Sequence, residues 1–214
     1  MRRAVSEQDK ASRRQDILAA AKHVFAERGY HATTIADIAR AAGVSYGSIY
    51  WYYESKEALF HELMSAEASA LRSRIAAAAA GTARSPGAQG MPEAAVEPFR
   101  AAVRATIEFY DADRALVKLL FRDAFALGKS FEEHLSRIQG SFVADTERLV
   151  VALQRAGVMQ AGPSQVIAYA ITSLIGQLAH RRLVTDDGLS ATTLSDFVVD
   201  LLLHGLLATG RAPV

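Results

Sequence analysis

The sequence predicts an all-α protein, on three observations. Apolar residues recur at three- and four-residue intervals along almost the whole chain, the spacing of one helix face. Glycines, prolines and capping Ser or Thr residues cut that pattern into separate segments. No strand pattern, internal repeat or glycine-rich phosphate loop interrupts it.

The elements follow in order. Ile17, Ala21, Val24, Phe25 and Arg28 form the first stripe, which stops at Gly29. In "TTIADIARAAG", Thr34 and Asp37 make a capping pair, Ile35, Ile38, Ala39 and Ala42 supply the apolar face, and Gly43 ends the helix. Ser45 can cap a third, short helix running to about Tyr52, and Ser55 a fourth with Leu59, Leu63, Ala66 and Ala70. Three helices thus occupy residues 1–56, with only Gly43, Val44 and Ser45 between the second and third. That is a helix-turn-helix layout, with residues 1–10 expected as an arm. "GTARSPGAQGMP" (81–92) reads as a loop. Further helices are marked by Phe99, Val103, Ile107 and Tyr110, by Leu116, Leu119, Leu120 and Ala124, and by Phe131, Leu135, Ile138, Phe142, Leu149 and Leu153. The last two span 163–184 and 190–208.

Composition narrows the function. The chain has 214 residues and no cysteine, which excludes disulfides, thiolate metal sites and cysteine nucleophiles. The N-terminus lacks the apolar run of a secretory signal, and the longest charge-free stretch, 156–180, is too polar and broken for a membrane span, so a cytoplasmic protein is expected. Glu132, Glu133 and His134, or Asp200 and His204, could be imagined as metal ligands or an acid–base pair. An acidic helix start and a solvated stripe of Asp196, Asp200 and His204 explain them with fewer assumptions. No metal site, catalytic residue or cofactor is assigned.

"YGSIYWYY" places Tyr46, Tyr50, Trp51, Tyr52 and Tyr53 within eight residues. So many rings cannot all turn inward. Residues 33–60, "TTIADIARAAGVSYGSIYWYYESKEALF", resemble the DNA-binding motif of TetR-family transcriptional regulators, T-x-x-x-I-A-x-x-A-G-V-S-x-G-x-x-Y-x-Y-F-x-S-K-E-x-L. The matches are Thr34, Ile38, Ala39, Ala42, Gly43, Val44, Ser45, Gly47, Tyr50, Tyr52, Ser55, Lys56, Glu57 and Leu59, with Tyr53 where Phe is usual.

In a helix-turn-helix, the early residues of the reading helix lie nearest the base edges. Ser45, Tyr46, Gly47 and Ser48 stand there, and Gly47 lets backbone approach DNA closely. The resemblance implies that Tyr50 and Tyr52 contact phosphates; a rival reading puts Tyr50 and Tyr53 in the core. Lys56 adds charge at the start of the fourth helix, and Thr34 is another expected phosphate partner. Tyr53 and Ile49 are assigned to the core, and Trp51 to neither side. The expected partner is double-stranded DNA carrying a near-palindromic operator.

Residues 57–214 are expected to form an effector-binding and dimerisation domain. The segments 163–184 and 190–208 are apolar on more than one face, so they need cover on more than one face. The same pair from a twofold partner provides it, giving a homodimer. The aromatics of this half fit a core. A functional reading makes Thr106, Phe121, Arg122, Phe125, Phe142 and Tyr169 the lining of a small-molecule site, with Arg122 able to meet an anionic ligand such as an acyl thioester. The resemblance implies a repressor that such an effector releases from its operator. The alternatives are a DNA-binding activator or architectural protein without an effector and, from another class, a small-molecule carrier or enzyme.

Overall fold

The computed structural model describes residues 7–82, 92–120, 128–185 and 187–205. Phe121, Arg122 and Phe125 lie outside these, as do Ala124 and the residues beyond 205 in the last expected helix. The described residues are helical and contain no strand. The helices are α1 (Glu7–Arg28), α2 (Ile35–Ala41), α3 (Tyr46–Ile49), α4 (Lys56–Thr82), α5 (Pro92–Ala112), α6 (Arg114–Lys118), α7 (Lys129–Arg155), α8 (Ser164–Val184) and α9 (Ala191–His204). They fall into two compact units, one within Met1–Ser69 and Asp113–Ile138, the other within Ala70–Ala112 and Gln139–Val214. The division passes inside α4 and α7.

In the first unit, Ile17, Ala21 and Phe25 of α1, Ile38 of α2, Ile49 of α3 and Leu59, Phe60 and Leu63 of α4 are all buried. Phe60 lies at its centre, with Phe25 and Tyr30 each edge-on to it at 5.0 Å and Phe131 tilted at 5.0 Å. Such ring pairs add directionality to burial, so the helices meet in one arrangement. Lys22 reaches from α1 to Glu67 at 2.7 Å and to Asp113 at 2.6 Å. Asp113 also caps α6 through the Leu116 N–H.

In the second unit, Phe99, Val103 and Ile107 of α5 share a core with Val150 and Leu153 of α7, Ala168, Ile171 and Ile175 of α8, and Leu194, Val198 and Val199 of α9. Asp196 and Asp200 keep 42% and 59% of their side chains exposed, as a solvated stripe requires, and also pair with arginines of α5. Arg100 binds Asp196 at 2.9 Å and Asp200 at 3.3 Å, and Arg104 binds Asp196 at 3.3 Å. Val166 (64%) and Tyr169 (56%) of α8 and Phe197 (56%) of α9 are exposed as well. Large apolar side chains left outward on neighbouring helices are the feature of this surface that calls for cover. No helix among the described residues is long and apolar enough to cross a membrane.

Candidate nucleic-acid interface

The turn between α2 and α3 is built from local hydrogen bonds. Thr34 caps α2: its hydroxyl accepts from the Asp37 N–H at 3.2 Å, and the Asp37 carboxylate accepts from the Thr34 N–H at 3.1 Å and hydroxyl at 2.6 Å. These bonds, with Arg28 and Arg40, hold the Asp37 carboxyl below its ordinary value. At the other end, the Val44 N–H returns to the Ala39 carbonyl at 2.9 Å, a reversal that Gly43 permits at φ +63. Ser45 then caps α3, its hydroxyl accepting from the Ser48 N–H at 3.2 Å. The helix is shorter than expected: it ends at Ile49, with Tyr50 as C-cap and Trp51 and Tyr52 in the turn that follows.

That geometry sorts the aromatic segment. Ile49 (0%) and Tyr53 (3%) are buried, as assigned from sequence. The Tyr53 phenol is pushed up to about 12 by burial, with Arg14 stacked 5.1 Å from its ring centroid. Tyr46 (55%), Tyr50 (45%) and Trp51 (89%) are exposed, so the core reading of Tyr50 fails. The offset explains it: two residues past Ile49, a helical path has turned about 200° and carries Trp51 to the opposite side. This offset was available in the sequence, and Trp51 is the residue that sequence reasoning left unassigned. Tyr52 is half-buried.

Tyr46 and Tyr50 form a pair. Their rings meet edge-on at 5.3 Å, and their hydroxyls share a hydrogen bond of 2.9 Å. Gly47 is the converse case. A Cβ there would meet nothing within 4 Å, and its φ is not positive. Neither packing nor backbone conformation demands glycine, which costs about 1 kcal/mol against alanine in a helix.

Lys56 differs from expectation. Its ammonium donates to the carbonyls of Tyr30 and Thr33, each at 2.8 Å, and lies 4.3 Å from the Tyr30 ring centroid. Burial holds it below its ordinary pKa. An ammonium has three N–H donors, so two are committed to fastening the turn before α2 and one is left to reach outward. The Ser48 hydroxyl lies 2.6 Å from that of Ser45. The surface offers hydroxyls, an indole, an ammonium and a bare backbone position, which suits phosphates and base edges. No cluster of three or more potential metal ligands occurs among the described residues.

The expected ligand-binding residues are less convergent. The Thr106 hydroxyl donates to the Ala102 carbonyl of its own helix at 2.8 Å, Phe142 is half-buried on α7, and Tyr169 is exposed on α8. No hydrogen bond or ring contact joins the three among the described residues.

Residues 17–63 match the family described as bacterial regulatory proteins, tetR family. That match lies over the helix-turn-helix region and does not extend into the rest of the chain. The HTH-type transcriptional repressor KstR2 of Rhodococcus jostii strain RHA1 is 47% identical over 55 residues, which cover 26% of this chain and 27% of that relative. The chain therefore matches about a quarter of that relative's length. Two crystal structures share the fold over most of the chain. The fatty acid degradation regulator FadR from Bacillus halodurans has a TM-score of 0.77 at 20% identity, covering 91% of this chain and 96% of that one. FadR from Bacillus subtilis, solved in complex with stearoyl-CoA, has a TM-score of 0.74 at 20% identity, covering 90% and 99%.

Proposed function

We propose that this chain is a TetR-type, dimeric, sequence-specific transcriptional repressor that a small hydrophobic ligand releases from its operator. The observation that carries it is the outward aromatic surface of α3 and the turn after it, with Tyr46, Tyr50 and Trp51 exposed. Tyr46, Gly47 and Ser48 are the proposed base-edge residues, following Ser45 at the helix cap. Tyr50, Tyr52, Lys56 and Thr34 are the proposed phosphate partners. Residues 1–56 are proposed as the reading domain and 57–214 as the effector and dimerisation domain, a functional division distinct from the two packed units.

The dimer is supported by Val166, Tyr169 and Phe197, which crowd apolar area onto the outer faces of α8 and α9. A twofold partner would cover it and set two reading helices about 34 Å apart, one DNA turn. Tyr169 suits that interface better than a ligand site. The remaining proposed ligand residues are Thr106, Phe121, Arg122, Phe125 and Phe142. A long-chain acyl thioester is the proposed ligand class, supported by the fold shared with the stearoyl-CoA complex of the Bacillus subtilis regulator.

The test is a gel shift with duplexes that the protein enriches from a random-sequence pool, repeated with acyl-CoAs of increasing length. The proposal expects saturable binding, twofold-symmetric sites and release by a long acyl chain. By linkage, operator must weaken acyl-CoA binding by the same factor. Binding that no hydrophobic ligand alters would leave a regulator without an effector in its place.

A further inference from the structure

The paired hydroxyls of Tyr46 and Tyr50 carry information about which base they can serve. Two phenols bring two O–H groups. One is spent in the 2.9 Å bond between them. The oxygen that accepts this bond keeps its own hydrogen, and the oxygen that gives it keeps lone pairs facing outward. As a unit the pair therefore presents one donor and one acceptor, side by side. The phenol of Tyr50 is held above its ordinary value, first by its bond to Tyr46. Neither hydroxyl makes another hydrogen bond among the described residues, and both rings are exposed.

On the major-groove edges, adenine presents N7 as an acceptor beside the N6 amino donor. Guanine presents two acceptors, N7 and O6; cytosine presents a lone amino donor and thymine a lone carbonyl beside its methyl. Among single bases, only adenine needs one donor and one acceptor from its partner, and 7-deazaadenine separates this from a reading that spans the two bases of a pair. Guanine would leave one acceptor unserved or break the tyrosine pair. Resting on the repressor reading above, we infer that Tyr46 and Tyr50 act as one bidentate reader of adenine in the operator's major groove. Tyr50 then serves a base edge in place of a phosphate. Asparagine and glutamine recognise adenine with the same donor and acceptor carried on one amide. Here two side chains four residues apart divide the work, and their edge-on ring contact at 5.3 Å holds the oxygens in register.

The experiment uses the full chain and the four combinations of Tyr46→Phe and Tyr50→Phe. Each Phe keeps its ring contact and removes only an exposed hydroxyl, so melting temperatures should match the parent's. Duplexes enriched by the parent from a random pool should hold adenine at one fixed position of each half-site. Replacing that adenine with guanine, or with 7-deazaadenine to delete N7, should weaken parent binding on the order of tenfold. Either single Phe variant should lose most of that discrimination, and the double variant should bind no worse than the singles, since one hydroxyl cannot span both groups. Three results overturn the inference: a fixed base other than adenine, losses that add between the two hydroxyls, or Phe variants that weaken all duplexes alike, as a phosphate contact would. If the parent enriches no sequence and binds no duplex, the repressor reading falls first and takes this one with it.

Discussion

Replacing Lys56 with Met keeps the aliphatic stem and deletes the ammonium. In the folded chain that ammonium makes two charge-assisted hydrogen bonds of 2.8 Å, to the carbonyls of Tyr30 and Thr33. Hydrogen bonds to charged groups contribute about 1.5–3 kcal/mol each when well enclosed. Lys56 is half-buried, so the lower end applies, and water can partly replace it at the bared carbonyls. Burial of the charge, which lowers the lysine's pKa, subtracts further. The contact with the Tyr30 ring, 4.3 Å to its centroid, adds about 0.5–1 kcal/mol. A net loss of about 2 kcal/mol is expected, which lowers the melting temperature by roughly 4–8 °C for a chain of this size. Urea unfolding followed by far-UV circular dichroism measures it, with Lys129→Met as control. Lys129 is 88% exposed in its side chain and among the described residues pairs with Glu133 alone, at 3.9 Å, so its loss should stay within a few tenths of a kcal/mol. If Lys56→Met unfolds within about 0.5 kcal/mol of the parent, the fastening role is refuted. If it also flattens the salt dependence of DNA binding by about one unit of slope, the remaining N–H serves a phosphate.

Three further outcomes are expected. Trp51 is the only tryptophan and is 89% exposed, so its emission should be quenched or blue-shifted by operator duplex; unchanged emission at saturation would remove it from the interface. Asp37 is held below its ordinary value of 3.8 by Thr34, so its contribution is present above pH 3.8 and lost as pH falls through the folded value. Asp37→Asn should therefore lower stability at neutral pH and flatten its decline below about pH 4, whereas an unchanged acid limb in denaturation midpoints would count against the capping network. Phe197→Asp places a charge on the outer face of α9 and should convert a dimer to monomer in light scattering; a parent already monomeric at micromolar concentration sinks the interface.

Much of the candidate site was legible before any coordinates. Thr34 and Asp37, Ser45 and Ser48, and Gly43 act within three to five residues of their partners, so their spacing alone specifies the caps and the turn. The burial of Ile49 and Tyr53 followed from the same local periodicity. What the sequence could not specify are bonds whose partners lie far along the chain. Lys56 looked like an outward charge at a helix start, and only packing brings it against carbonyls 23 and 26 residues away. Asp196 and Asp200 are solvated as their spacing suggested, but their partner Arg100, 96 and 100 residues distant, is set by the packing of α5. The Tyr46–Tyr50 bond is a mixed case. Their spacing puts both rings on one face, but the meeting of the hydroxyls depends on side-chain rotamers that no helical period dictates. Hydrogen bonds within one turn are set by backbone geometry and residue type, whereas contacts between helices depend on how apolar faces pack, and that packing decides which charges are left to face water.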